Sequence, residues 1–213
     1  MTTRRTFLHL ILGTSVGAVL LGPILVAARW AWAAGKKVLA KGTKRDSLIH
    51  EDPAALDTTQ LDITPLEDFG TMGPTDEVVA LDTWRLDVSG QVKRPVRLTY
   101  AELTALPPVE RNVLLICPGV FANHGRWKGV SMRALLGQAE PDGTAGLLLV
   151  EGRNGKTARY PLTDILSEKV FLAYQVNGKD LPQKHGFPLR VVAEGYYGYD
   201  WVKYVEKISV ERA

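Results

Sequence analysis

From Asp82 to Val210 the apolar positions fall in short alternating or continuous runs, a pattern of strands rather than long helices. In WRLDVSG, Trp84, Leu86 and Val88 alternate with Arg85, Asp87 and Ser89, which predicts a half-buried strand ending at Gly90. VRLTYAELTALPP predicts a strand that hands over at Thr99, an N-cap with Glu102 three residues on, to a short helix stopped by Pro107-Pro108. NVLLIC and GLLLVEG read as buried strands and KTARYPL as a partner, while Ser131 caps a second short helix, MRALLGQA. LTDILSE gives a helical turn, and VFLAYQV enters an Asn177-Gly178 turn. FPLRVVAEG and WVKYVEKISV follow, the latter with Val202, Tyr204, Glu206, Ile208 and Val210 on one side. Many short strands and three short helices, without regular strand-helix alternation, predict an α+β fold with mixed or antiparallel sheets. Upstream, residues 35–75 carry Pro53, Pro65 and Pro74 with weak periodicity and read as a linker and extended arm, leaving 76–213 as the globular domain.

Residues 1–34 have a different texture. Arg4-Arg5 precedes Phe7-Leu8, and a 22-residue apolar stretch runs from Phe7 to Ala28. This resembles a twin-arginine export signal, a route that carries folded, cofactor-loaded proteins. Ala31-Trp32-Ala33 allows cleavage after Ala33; retained, residues 7–28 are long enough to anchor the chain in a membrane. Either outcome places the folded part in the periplasm or at the outer face of the membrane.

Charge sharpens the division. Residues 1–50 hold eight Lys/Arg against Asp46 alone, a net +7, so the overall +3 leaves −4 for the remaining chain. The folded part therefore offers no basic footprint for nucleic acid.

The single cysteine, Cys117, ends an apolar run just before Pro118-Gly119. A lone thiol is either core filler or present for its sulfur. With no second cysteine, dithiol exchange and structural zinc are excluded; a Cys-His nucleophile using His124 or His185 remains formally open, without a supporting signature. Asn123, His124 and Arg126 lie just downstream, able to hydrogen-bond or neutralise an anion. The expected helix turns Arg133 toward solvent.

NVLLICPGVFANHGRWKGVSMRALL resembles the cysteine segment of the sulfite oxidase family, the oxidoreductase molybdopterin-binding domain. There Cys is followed some ten residues later by W-x-G-V/F-x-L and L-L, here Cys117, Trp127, Gly129, Val130, Met132 and Leu135-Leu136. LAYQVNGKDLPQKHGFPLRVVAEGYYGYDWVKYVEKI is similar to the second block of the family, with N-G, H-G-x-P-L/V-R and a V-K pair, so the likeness covers about residues 64–210.

The resemblance implies a sulfite-oxidase-type fold holding molybdenum with a single molybdopterin. Cys117 matches the cysteine that ligates the metal, His185 and Arg190 the positions that hold the pterin and its phosphate, and Trp201, Val202 and Lys203 a further cofactor-contacting stretch. LEDFG resembles the Y-E-F-G segment of the methionine-sulfoxide-reductase branch and maps cofactor contacts onto Glu67 and Asp68; another contact falls on Gly152, where only the backbone is available. Phe121, Asn123 and His124 are expected to roof the pocket, with Asn123 and His124 beside the chemistry.

The implied activity is a two-electron oxygen-atom transfer on a small-molecule substrate, with a membrane or c-type cytochrome as electron partner. Pro118 to Phe121 match neither the A-G-N-R-R run of sulfite oxidases nor the C-V-E-A-W of the methionine-sulfoxide-reductase branch, so neither substrate carries over. The rival readings are a non-catalytic accessory subunit and a membrane-anchored binding module.

Overall fold

The structure, a computed structural model, describes residues 35–212. The twin arginines and the apolar stretch 7–28 lie outside the described residues. Among the described residues no helix is long and apolar enough to cross a membrane.

In chain order the strands are β1 (Lys37–Val38), β2 (Leu56–Asp57), β3 (Leu86–Gly90), β4 (Val96–Leu98), β5 (Pro108–Cys117), β6 (Phe121–Val130), β7 (Ala145–Gly152), β8 (Thr157–Pro161), β9 (Val170–Val176), β10 (Lys179–Asp180), β11 (Arg190–Ala193) and β12 (Val205–Arg212). The helices are α1 (Tyr100–Thr104), α2 (Met132–Ala139) and α3 (Leu162–Leu166). One sheet runs β10-β9-β6-β5, with β11 also on β9, and all its pairs are antiparallel. The other runs β4-β3-β12-β7-β8, mixed because β12 pairs β3 in parallel and β7 antiparallel. A single apolar cluster joins Leu86, Val150 and Ile208 of the mixed sheet to Val113, Trp127 and Leu172 of the antiparallel one. The fold is α+β.

Local signals behave as their chemistry dictates. The Thr99 hydroxyl accepts from Glu102 N at 3.2 Å while Glu102 Oε2 accepts from Thr99 N at 2.8 Å, a complete capping box for α1. Ser131 Oγ accepts from Ala134 N and starts α2. Asn177 and Gly178 both have positive φ, as the two central residues of a tight hairpin turn require.

Three elements differ from the sequence expectation. The stretch Phe121–Val130, given no element by the sequence pattern, is a ten-residue strand paired with β5 over its whole length. Its Asn123, His124, Arg126 and Lys128 disguise it; Asn123 and His124 are buried, the Asn123 amide and the His124 backbone N–H and Nδ1 meeting the arm while His124 Nε2 has no partner. WVKYVEKISV is extended only from Val205, because Tyr204 takes φ 53°; Trp201 to Lys203 therefore lie in an irregular segment, free to meet a ligand. The stretch 36–75 is packed rather than solvated: Leu39, Leu48, Leu56 and Leu61 form a second apolar cluster with Leu114, Ile116 and Ala122 on the back of the β5–β6 hairpin. Residues 36–212 are one compact body.

Candidate cofactor site

Antiparallel pairing decides which side chains of β5 and β6 face together. Cys117 pairs with Phe121 and Leu115 with Asn123, whereas Ile116 pairs with Ala122 and Leu114 with His124. Leu115, Cys117, Phe121 and Asn123 thus share the front of the hairpin, where they line a cavity of about 300 Å³. Leu114, Ile116 and Ala122 share the back, under the arm. His124 is on the back too, and the expectation that it roofs the site is corrected. Its backbone N–H donates to Thr64 Oγ1 at 3.0 Å, its carbonyl accepts from Thr64 N at 2.7 Å, and Nδ1 lies 3.2 Å from Asp62 O. Period-two alternation separates it from its neighbour Asn123.

Cys117 ends β5 and is followed by a tight turn in which Val120 N donates to Cys117 O at 3.0 Å and Gly119 N to Ile49 O at 2.9 Å. The arm thereby pins the turn behind the thiol. Burial pushes the thiol up, and no charged neighbour pulls it back. Its hydrogen-bonding neighbour is the Met72 thioether, 3.7 Å away.

Residues 70–74 form the opposite wall as a strap. Asn123 holds it at two points, accepting from Gly70 N at 3.0 Å and donating to Gly70 O at 2.8 Å. Lys203 holds its far end, donating to Thr71 Oγ1 at 2.9 Å and Pro74 O at 3.0 Å, with a third bond to Lys184 O at 2.9 Å.

The floor is cationic. Arg190 is 4% exposed, its guanidinium stacked 5.1 Å from the Trp127 ring centre and 5.4 Å from that of Trp201, with Nη1 donating to His185 O at 3.0 Å. Among the described residues it has no ion-pair partner, and desolvation lowers its pKa to about 10, so it stays charged at neutral pH. Desolvation first and Arg190 second lower Lys203 to about 8. His185 is 1% exposed, packs edge-on to Phe69 and has an Nε2 with no partner; desolvation first, then Arg190, lower it to about 4, so it is neutral at pH 7. Asn154 and Lys156 of the β7–β8 hairpin complete the lining, and no Asp or Glu among the described residues contributes.

Of the residues named from the sequence, Cys117, Asn123, His185, Arg190, Trp201 and Lys203 come together here. Val202 is buried beside the cavity, its carbonyl accepting from Val191 N at 2.8 Å. Glu67 and Asp68 lie on the outer surface: Glu67 borders a separate open groove, and Asp68 pairs with Arg45 at 3.2 Å. The cavity takes instead the backbone two to six residues later, from Gly70 to Pro74. Gly152 packs on the Lys203 carbonyl rather than lining the space. Arg126 and Arg133 are exposed, Arg126 pairing with Glu110 at 3.4 Å. Lys156, Tyr199 and the strap are absent from the sequence reading, since no local signal ties them to Cys117.

These groups suit molybdopterin. An unneutralised buried guanidinium, a neutral imidazole with a free nitrogen and a desolvated ammonium match a phosphate dianion and a polar heterocycle, and a single thiol matches a metal whose remaining sulfurs come with its cofactor. Among the described residues no cluster of three or more His, Cys, Asp or Glu exists that would cage a metal alone. Residues 72–213 match the family model for the oxidoreductase molybdopterin-binding domain. The chain belongs to this family.

The domain is thus a molybdopterin-dependent oxidoreductase of the sulfite oxidase family, and molybdopterin is its cofactor. It is 32% identical over 127 residues to the uncharacterized oxidoreductase YuiH of Bacillus subtilis (strain 168), covering 59% of this chain and 64% of that protein. It is 32% identical over 160 residues to the NAD(P)H nitrate reductase of Hordeum vulgare, covering 60% of this chain and 18% of that one. The chain therefore spans less than two thirds of either relative. Among solved structures, the sulfane dehydrogenase SoxCD of Paracoccus pantotrophus superposes with a TM-score of 0.60 at 20% identity, covering 94% of this chain and 56% of that one, a likeness of fold.

Proposed function

We propose that this domain carries out two-electron oxygen-atom transfer on a small substrate in the bacterial envelope, exchanging electrons with a separate carrier, a membrane or c-type cytochrome. The observation that carries the reading is the meeting, in one cavity free of described carboxylates, of Cys117, His185, Arg190 and Lys203 from three separate parts of the chain. When bound, the molybdenum cofactor supplies the two-electron chemistry.

The residues of the chain hold and shield it. Cys117 offers the thiolate ligand, and its proton leaves when the metal binds. Arg190 and Lys203 offset the phosphate, and Arg190 is already fixed between two indole rings, so little side-chain entropy is lost on binding. The free Nε2 of His185 accepts from or donates to the pterin according to its tautomer. Leu115 and Phe121 keep water from the metal side.

A twin-arginine leader would suit a cofactor loaded before translocation, and the domain, whose one cysteine is taken up by the metal, draws its electrons from a separate carrier. The decisive test is molybdenum per chain in protein purified from a host that makes molybdopterin, alongside Cys117→Ala. Near-stoichiometric metal and turnover of an oxide with an artificial electron carrier are expected for the parent, with turnover lost in the variant. A metal-free parent would overturn the reading. Replacing Arg4-Arg5 by lysines is expected to stop export of the folded protein.

A further inference from the structure

We propose that Asn154, at the tip of the β7–β8 hairpin, is a site of spontaneous deamidation, and that the carboxylate it becomes weakens the hold of cofactor-free protein on molybdopterin. The empty chain then has a limited interval in which to be loaded. This rests on the assignment of the cavity to the cofactor, and adds a covalent fate for the form that lacks it.

The chain has two Asn-Gly pairs, Asn154-Gly155 and Asn177-Gly178. A following glycine leaves its backbone nitrogen open to the side-chain amide before it, because no Cβ stands in the way. Gly155 is open from outside as well: its φ is 76°, and a Cβ there would meet nothing within 4 Å. Asn154 Oδ1 accepts from Lys156 N at 3.1 Å, while its Nδ2 has no partner among the described residues and is left to solvent. The Lys156 N–H therefore polarises the carbonyl that is attacked and meets the negative charge that gathers on its oxygen, and ammonia departs unhindered. One bond opposes the reaction, from Gly155 N to Gly152 O at 2.9 Å. It lies in a largely exposed tip, Arg153 to Lys156, where local opening costs little.

Asn177 is the internal comparison. Its Oδ1 accepts from Arg126 N at 2.9 Å, its Nδ2 donates to Thr64 O at 2.9 Å, and its own N–H donates to Arg126 O at 2.7 Å. Both ends of the amide are taken up by β6 and the arm, so its carbon cannot turn toward Gly178 without losing both bonds.

The step is a hydrolysis with no redox change. Gly155 N bonds to Asn154 Cγ, the Cγ–Nδ2 bond breaks, and the proton from Gly155 leaves with the ammonia; water then opens the succinimide to aspartate or isoaspartate. Either product puts a carboxylate into a lining that holds none among the described residues, two positions from Lys156. The new charge repels the phosphate dianion of the cofactor and draws Lys156 to itself. A bound cofactor covers this lining and restrains the tip, which slows the reaction in loaded protein.

The test follows covalent change and metal content. Cofactor-free protein from a host unable to make molybdopterin is held in mildly alkaline buffer and sampled over weeks by peptide mass spectrometry, beside molybdenum-loaded protein and cofactor-free Asn154→Gln. The Asn154 peptide is expected to gain about one dalton at least about tenfold faster than the Asn177 peptide, and faster in empty than in loaded protein. The Asn154→Gln variant is expected to show no gain in that peptide. Asn154→Asp, made in a host that supplies molybdopterin, is expected to carry about threefold less molybdenum per chain than the parent, with the thermal midpoint of its cofactor-free form unchanged. A stable Asn154, or equal rates at Asn154 and Asn177, would overturn the site; full molybdenum content in Asn154→Asp would overturn its effect on loading. Neither readout involves turnover, so failure here leaves the oxygen-transfer reading standing, and failure of oxygen transfer leaves the mass gain untouched.

Discussion

Asn123 grips Gly70 from both sides, its side-chain carbonyl on the Gly70 N–H and its amide on the Gly70 carbonyl, at 3.0 and 2.8 Å. Because Asn123 sits on β6 opposite Leu115, this clamp ties the strap 70–74 to the same hairpin that presents Cys117. Asn123→Ala removes both bonds and leaves two half-buried backbone groups unpaired, a loss of about 1–3 kcal/mol. The variant is expected to fold, with a lower urea midpoint and faster loss of molybdenum during dialysis than the parent. Retention equal to the parent would show that the strap is held without the clamp.

Arg190 is a buried cation with no ion-pair partner among the described residues. Arg190→Met exchanges a desolvated charge and its two carbonyl contacts for apolar packing between Trp127 and Trp201. In cofactor-free protein the unfolding free energy is expected to change by less than about 1 kcal/mol, since the relieved desolvation offsets the lost bonds. Cofactor occupancy, read as molybdenum per chain, is expected to fall at least about tenfold. The split between unchanged stability and lost occupancy separates a binding cation from a structural one.

His185 titrates near pH 4 in the folded protein against its ordinary value of 6.5, because burial and neighbouring cations disfavour its charged form. Between these values the unfolded chain holds the extra proton, so cofactor-free protein loses stability as pH falls from 6.5 toward 4 and holds it above 6.5. Going from pH 7 to pH 5 should cost up to about 2 kcal/mol from this group. His124, also lowered by burial, adds to the same slope. Urea unfolding at the two pH values is expected to show a smaller difference in His185→Gln than in the parent, with the His124 part remaining.

Gly129 and Gly152 are places of close backbone approach. A Cβ at Gly129 would stand 1.8 Å from Leu172 O, inside the β6–β9 pairing, and one at Gly152 would stand 2.3 Å from Lys203 O. Gly129→Ala therefore is expected to cost about 3 kcal/mol or more, or to prevent soluble expression, by parting the central strands. Gly152→Ala pushes on the segment that carries Lys203, so reduced molybdenum content is expected alongside a lower thermal midpoint.

Features that depend on neighbours in the chain were readable in advance. The Thr99-Glu102 capping box, the Ser131 cap and the Asn177-Gly178 turn are settled by hydrogen bonds and φ angles spanning a few residues. The thiol at the end of an apolar strand was readable from the run before Pro118, and the HGFPLR block from its own spacing. What a linear reading lacked was the strand Phe121–Val130. Only Phe121 and Trp127 on one side against His124 and Arg126 on the other hint at period two, and Asn123 and Ala122 break the alternation that would have turned His124 away from Cys117.

The local code of this chain, its caps, turns, apolar runs and one thiol, is written in adjacent residues and determines strands, helices and the candidate metal ligand. The cavity is a property of pairing across distance. The β5–β6 register puts Asn123 in front and His124 behind, the positive φ of Tyr204 frees Lys203 from a strand, and the packed arm swings Gly70 to Pro74 over Cys117. Each of these depends on burying apolar surface and satisfying backbone polar groups between segments tens of residues apart, a balance struck only when the chain has folded.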